Sequence, residues 1–188
     1  GEEARAWLGT LFDAHDPPLV IKSDNGSAFQ AEETRAWLRD RGVLPLFSPA
    51  GYPQYNGQLE RSNAVNKTYT HQHAVAEGHP QQWTQQDLDA ARDLTNAVSR
   101  PWGARGPSPD QCWAARPPIT PAERAAFAAT VAAERAVACG ELGYAPARVL
   151  TTDESDEVDR RAIGRAVARG GYRTTLEYRR APRPRRRR

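Results

Sequence analysis

The sequence predicts an α/β fold near its N-terminal end, followed by a helical and basic C-terminal region. Two apolar runs, residues 19–21 and 43–47, are too short for helices, and the first suits a strand buried on both faces. Between them, residues 31–41 show a helical pattern that ends at Gly42. A helix between two strands is the βαβ pattern of an α/β sheet.

Further helical patterns lie on both sides of this segment. Residues 2–12 carry apolar side chains at spacings of three and four, and Thr84 with Asp87 resembles a capping box. The other predicted helices cover residues 58–76, 121–139 and 154–168. Residues 172–178 fit a short strand, and the segment rich in Pro and Gly at 101–118 is expected to be a linker.

The helix predicted for residues 58–76 separates its charges from its apolar residues. At about 100° per residue, Glu60 and Lys67 share one polar face. The apolar residues expected on the opposite side are Val65, Tyr69 and Ala76. This is the arrangement needed if Glu60 holds a metal ion while Lys67 reaches a phosphate beside it.

Charge is distributed unevenly along the 188 residues. The net charge is +3, but residues 179–188 carry seven Arg and no acid, so residues 1–178 carry a net charge of −4. Such a basic tail favours binding to polyanions. Cys112 and Cys139 lie far apart and give neither a disulfide framework nor a zinc-site spacing. No apolar run approaches the length of a membrane span, so no membrane partner is expected.

Two features of the composition indicate the origin of the chain. The sequence contains no Met, so we expect a fragment of a longer protein. Of its 26 basic residues only Lys22 and Lys67 are Lys, and Ala, Gly and Pro are frequent. This usage is typical of high-GC coding sequences and predicts a bacterial protein, cytoplasmic and associated with the nucleoid.

Two acids stand at the ends of predicted elements, with thirty-five residues between them. Asp24 follows the first strand, directly before Asn25 and Gly26, which tolerate the positive φ of a sharp turn. Glu60 lies in the first turn of the long helix. Taken singly, Asp24 could cap a turn and Glu60 could complement the helix dipole. Their spacing and flanking motifs favour a shared role as metal ligands.

Several short motifs surround these acids. They are Ser23-Asp24-Asn25-Gly26-Ser27-Ala28-Phe29, Ser48-Pro49, Asn56-Gly57-x-x-Glu60, Lys67, and the Arg100-Pro101 and Gly106-Pro107-Ser108-Pro109 segments before Trp113. Over roughly residues 2–113, the chain resembles the catalytic core of retroviral-type integrases and the related DDE transposases. The resemblance implies a ribonuclease-H-like fold that is partial here, because its first strands are missing.

The resemblance also implies an activity, namely DNA integration or transposition. Such enzymes cut donor ends with water and join the 3′-hydroxyl to target DNA. Asp24 and Glu60 would correspond to the second and third acids of a site for two Mg²⁺ or Mn²⁺ ions. The first acid is absent from the chain, so we expect the chain to be inactive alone. Whether the chain is an enzyme is left open.

DNA and further copies of the chain are the partners implied by the resemblance. Asn56 occupies the position of a polar DNA contact, Lys67 matches a Lys that meets end DNA, and Arg61 lies between them. In the tail, Arg185 and Arg186 would add contacts to phosphates. We expect donor-end DNA, target DNA and a homo-oligomer.

Two alternatives remain open at this point. One is a non-catalytic DNA-binding or interaction remnant of a transposase, and the other is a metal-dependent nuclease of the same fold. The predicted domains are a core portion at 1–116, a helical appendage at 117–178 and a disordered Arg-rich tail at 179–188. The appendage is either a plain helical segment that packs on the core or on another subunit, or a small helix-turn-helix or winged module.

Overall fold

The computed structural model describes residues 1–51 and 53–172. The chain divides into two compact units, Gly1–Thr120 and Pro121–Arg188. Within the described residues the fold is mostly helical, with a small sheet of two parallel strands. No helix in that part of the chain is both long and apolar enough to span a bilayer. The strand expected at 172–178 falls almost entirely outside the described residues, and the domain boundaries at 116 and 178 stay predictions.

The first unit runs from a helix through a small sheet to three further helices. Its elements are α1 Glu2–His15, β1 Val20–Ser23, α2 Ser27–Gln30, α3 Glu32–Asp40, β2 Leu44–Phe47, a 3₁₀ turn Pro53–Asn56, α4 Gly57–Ala76, α5 Gln85–Val98 and α6 Pro109–Ala115. The helices predicted at 2–12, 31–41 and 58–76 are confirmed, with shifted ends. Helix α6 was not predicted and lies in the segment expected to be a linker.

The two strands pair in parallel, with Val20 opposite Leu44. Beyond this ladder, both the N–H and the hydroxyl of Ser48 donate to the carbonyl of Ser23. The predicted βαβ connection is confirmed. The expectation that β1 is buried on both faces is wrong, since its apolar residues are half-buried and Lys22 is exposed. Among the described residues each strand has one neighbour, whereas burial of both faces needs a wider sheet covered by helices.

An apolar core supports the strands from the side of α1 and α3. Its buried members are Leu8, Phe12, Leu38 and Val43. The rings of Phe12 and Trp37 stack with centroids 5.3 Å apart. Below α2, the buried hydroxyl of Thr34 donates to the carbonyl of Ala28 at 2.8 Å. This packing fixes the chain on both sides of the turn that contains Asp24.

Helices α4 and α5 pack on each other through small side chains. Thr70 and Ala74 of α4 are fully buried, and Ala91 of α5 is 2% exposed. The predicted apolar face of α4 is therefore wrong, because Val65 is 38% exposed. Thr70 can be buried because its hydroxyl donates to the carbonyl of Asn66 at 2.8 Å. Small residues let the two helices approach closely, and this decides which face of α4 is covered.

Helix α5 begins with the predicted capping box. The hydroxyl of Thr84 accepts a hydrogen bond from the N–H of Asp87, and the Asp87 carboxylate accepts one from the N–H of Thr84 at 2.7 Å. This prediction is confirmed. The motif satisfies two N–H groups that have no partner inside the helix.

Helix α6 joins the end of the unit to α1. Arg116, just after α6, donates to the carbonyl of His15 at 2.8 Å, and the ring of Trp113 meets the ring of His15 edge-on. The sequence pattern concealed α6 because Pro109 suggests a break. Proline is well tolerated at the first position of a helix, where the missing N–H would have no helical partner.

The second unit contains two long helices, α7 Pro121–Glu141 and α8 Thr152–Arg169, and both are confirmed predictions. They bury a shared apolar set: Phe127, Val131, Ala138, Val158, Ala162, Ile163 and Ala166. Glu134 is also buried, and it forms ion pairs with Arg165 and Arg169 at 3.6 and 2.6 Å. Each carboxylate oxygen of the buried acid thus has a cationic partner.

Candidate metal and nucleic-acid site

Asp24 lies directly after β1, with an exposed side chain. Its Oδ1 accepts a hydrogen bond from the N–H of Gly26 at 3.0 Å, and the described residues offer this carboxylate no other hydrogen bond. Gly26 has a φ of −60°, so the expected positive φ is wrong, and the carboxylate itself holds the turn. A Cβ on Gly26 would lie 3.0 Å from Oδ1. Glycine therefore leaves room for the carboxylate, whose Oδ2 stays available to a ligand.

Glu60 lies in the first turn of α4, as predicted. The N-cap residue of this helix, Asn56, makes no side-chain capping hydrogen bond. All residues from Leu59 to Val65 are exposed. Neither a cap nor apolar burial therefore holds the first two turns of α4, and tertiary contacts before the helix must locate them.

One such contact joins β1 to the 3₁₀ turn that precedes α4. The ammonium of Lys22 donates to the main-chain carbonyl of Tyr55 and lies 4.0 Å from the centroid of the Tyr55 ring. Although Lys22 is exposed overall, partial desolvation of its ammonium lowers the pKa of Lys22 from the ordinary value, because loss of water disfavours the charged form. Asp24 follows Lys22 by two residues and Glu60 follows Tyr55 by five. The contact thus links the two segments that carry the candidate acids.

The residues proposed to contact DNA extend from the N-cap of α4 to the middle of the helix. Arg61 and Lys67 are exposed, and Asn56 is half-buried. Lys67 follows Glu60 by two helical turns, which places it about 10 Å further along the axis and about 20° around it. Arg185 and Arg186 lie outside the described residues. Asn56, Arg61 and Lys67 could follow a phosphate backbone that passes Glu60.

Carboxylate oxygens are the donors that Mg²⁺ and Mn²⁺ prefer, so Asp24 and Glu60 fit such ions by chemical type. Two monodentate carboxylates would supply two of the six ligands of Mg²⁺. Among residues 1–51 and 53–172, no group of three or more His, Cys, Asp and Glu side chains has an arrangement suited to a metal ion.

A buried carboxylate near the α4–α5 turn was not anticipated as a centre of polar contacts. Asp87 is 1% exposed and lies 2.6 Å from Nδ1 of His73. Burial raises the pKa of Asp87, but hydrogen bonds with His73 and Thr84 outweigh it and lower the pKa to about 2. The capping-box pattern was the available sequence signal, yet His73 could be placed only by the packing of the two helices.

The second unit contains a cavity of about 570 Å³, lined in part by Cys139 and Tyr144. Its two guanidinium groups are already paired, Arg135 with Asp159 and Arg148 with Glu154. Because these charges are neutralised within the unit, we assign the cavity no ligand.

The comparisons with known proteins point to retroviruses. No family model matches the chain. Over 67 residues the chain is 38% identical to the Pro-Pol polyprotein of feline foamy virus, a stretch that covers 35% of this chain and 6% of the polyprotein. A solved chain with a similar fold comes from the cryo-EM structure of the simian T-cell lymphotropic virus intasome in complex with PP2A regulatory subunit B56 gamma. That match has a TM-score of 0.54 and 20% identity, and covers 64% of this chain and 42% of the other.

The chain therefore shares local sequence similarity with a retroviral polyprotein, of which it spans only a small part, and a similar fold with a chain of a retroviral intasome structure. The prediction of a bacterial, nucleoid-associated protein is wrong, since the relatives found are viral. That prediction rested on the preference for Arg over Lys, which reflects codon composition and carries no physical information about compartment.

Proposed function

We propose that this chain carries part of a metal-dependent DNA integration site with a ribonuclease-H-like ancestry. The observation that carries the proposal is the position of the two acids. Asp24 directly follows β1, Glu60 lies in the first turn of α4, which follows the neighbouring strand β2, and Lys22 joins the two segments through Tyr55. The ends of parallel strands and the starts of the following helices are where ligands bind in α/β folds.

In this proposal Asp24 and Glu60 hold divalent ions, Mg²⁺ or Mn²⁺, beside the phosphodiester. The bound ions would activate the attacking oxygen and stabilise the leaving oxygen. Asp24 would bind through Oδ2, because the N–H of Gly26 already holds Oδ1. Lys67 and Arg61 would hold DNA phosphates, and Asn56 would contact the strand at the start of α4. Donor-end DNA, target DNA and additional copies of the chain would be the partners.

Titration of the metal alone tests the carboxylates without requiring a known DNA sequence. Mn²⁺ binding to the full chain is measured by electron paramagnetic resonance for the wild type, Asp24→Asn and Glu60→Gln. Each variant should bind Mn²⁺ tenfold or more weakly, a loss of about 1.4 kcal/mol or more. Glu77→Gln, at the exposed C-terminal end of α4, is the matched control. Equal affinity in all four proteins would refute the metal site.

Strand transfer separates integration from the alternatives. Supercoiled plasmid and oligonucleotide duplexes are incubated with the chain and Mg²⁺, and joined products are distinguished from nicked ones on denaturing gels. Joining that depends on Glu60 supports integration and overturns the expectation that the chain is inactive alone, whereas nicking without joining supports a nuclease. DNA binding without either product, combined with no binding of Mn²⁺, favours a non-catalytic remnant.

The DNA contacts are tested by the salt dependence of binding. Lys67→Gln should weaken binding to duplex DNA and reduce the slope of log K against log salt concentration by about 0.9. Arg92→Gln is the control, because Arg92 is exposed but already paired with Asp89 and Asp93. Equal slopes for the two variants would exclude Lys67 from the DNA interface.

A further inference from the structure

We infer that Lys22 is a positioning residue that locates the start of α4, and with it Glu60, relative to Asp24. The functional importance of this position rests on the proposed function. The contact between Lys22 and Tyr55, called the tie below, is independent of metal or DNA. Lys22 was not among the residues singled out from the sequence. The available signal was that the chain contains just two lysines, Lys22 and Lys67, and both lie in this region.

The first step is that α4 needs an external anchor at its beginning. Helices α5, α6 and α8 each begin with a capping box, whereas the N-cap residue Asn56 gives α4 no side-chain hydrogen bond. Residues 59–65 are all exposed. A helix end without a cap or a buried face frays readily, because its first N–H groups lack partners.

The second step is that Lys22 supplies two different contacts to the turn just before α4. Its ammonium donates to the Tyr55 carbonyl, which fixes the backbone, and lies over the Tyr55 ring, which fixes the side chain. The strand that carries Lys22 is itself held by pairing with β2. A rigid strand is therefore tied to a weakly anchored helix start, across 33 residues of sequence.

The third step connects the tie to the acids. Asp24 follows Lys22 by two residues, and its carboxylate is oriented by Gly26, so the β1 side of the site is ordered locally. Glu60 has no comparable local support. Loss of the Lys22 contact should therefore leave Asp24 in place and release Glu60.

Hydrogen–deuterium exchange of the full chain, followed by mass spectrometry, measures the tie directly. In Lys22→Met, peptides covering residues 53–60 should exchange about five- to tenfold faster, the size expected for loss of a cation–π contact and a hydrogen bond. Lys22→Arg should restore much of the protection, because it keeps a cation and a donor. Tyr55→Phe keeps the carbonyl and the ring and is the matched control that should match the wild type. Peptides from α7 provide the internal reference.

Mn²⁺ affinity of the same variants gives the second readout. Faster exchange together with weaker Mn²⁺ binding in Lys22→Met supports the positioning role. Unchanged exchange overturns the inference, even where Glu60→Gln still weakens Mn²⁺ binding and the proposed function stands. Faster exchange with unchanged Mn²⁺ affinity, while Glu60→Gln weakens it, also overturns the positioning role. If Glu60→Gln does not change Mn²⁺ affinity, the proposed metal site is refuted. The exchange data alone then show whether the Lys22–Tyr55 contact holds the start of α4.

Discussion

Substitution of Leu38 by Ala should strongly destabilise the first unit. Leu38 is 1% exposed and lies in the core with Leu8, Phe12 and Val43. The change removes three buried carbon atoms, which corresponds to about 2.4 kcal/mol at about 0.8 kcal/mol per buried CH₂. The cavity left behind adds to this loss, so we expect about 3–4 kcal/mol in the free energy of unfolding.

Tryptophan fluorescence during urea unfolding is the appropriate assay. All five tryptophans of the chain lie within residues 1–120, so their emission reports the first unit and not the second. The midpoint should fall while the slope against urea stays constant, since the surface exposed on unfolding hardly changes.

Leu94→Ala provides the matched control for this substitution. Leu94 belongs to the same unit and undergoes the same chemical change, but its side chain is 45% exposed. Because the Leu94 side chain is half-exposed, its truncation costs about half of the transfer free energy and leaves little cavity. The free energy of unfolding should therefore fall by about 1 kcal/mol. Equal losses for Leu38→Ala and Leu94→Ala would refute the assignment of the core. A loss below about 1 kcal/mol for Leu38→Ala would do the same.

Three further predictions concern charges and a turn. The pKa of Asp87 is about 2 in the folded chain, against an ordinary value of 3.8. The ionised carboxylate therefore stabilises the fold fully above the ordinary value, and this contribution is lost as the pH falls from about 4 toward 2. The melting temperature of the wild type should fall as the pH decreases over this window, and the melting temperature of Asp87→Asn should vary less. Glu134→Gln should lower the free energy of unfolding of the second unit by about 1–3 kcal/mol, because Glu134 is buried and forms an ion pair with Arg169. Unfolding followed by circular dichroism measures this loss. Gly26→Ala should weaken Mn²⁺ binding several-fold with little change in stability, because its Cβ would displace the Asp24 carboxylate while a φ of −60° suits Ala.

These three predictions have distinct controls. Wild type and Asp87→Asn with parallel pH profiles would contradict the role given to Asp87. Glu141→Gln, an exposed acid paired with Arg165, should have a much smaller effect than Glu134→Gln. Gly57→Ala is the control for Gly26→Ala, since a Cβ at Gly57 would meet no atom within 4 Å.

Local signals in the sequence were sufficient for most helices and for both strands. Apolar spacing located α1, α3, α7 and α8, and the Thr84 capping box located the start of α5. These features depend on backbone hydrogen bonds and neighbouring side chains, which the order of residues specifies directly. The same local reasoning failed at α6, where Pro109 and the surrounding Gly and Pro residues suggested a linker.

The buried face of α4 depended on tertiary structure. The apolar pattern predicted the side that carries Val65, but α5 packs on Thr70 and Ala74, where small side chains permit close approach. Which face of a helix is buried depends on the partner that covers it, and a helix with few large apolar residues does not specify that partner by itself. The interaction of His73 with Asp87 follows from the same packing.

For the candidate site, the sequence by itself determined which residues are present and where they stand along the chain. Asp24 at the end of a strand and Glu60 at the start of a helix follow from local patterns, as does the availability of Arg61 and Lys67 on an exposed helix. Tertiary structure alone decided the contact between Lys22 and Tyr55, because it joins positions 33 residues apart. Such a contact depends on how β1 and the turn before α4 are brought together in space, and spacing along the chain carries no signal for that.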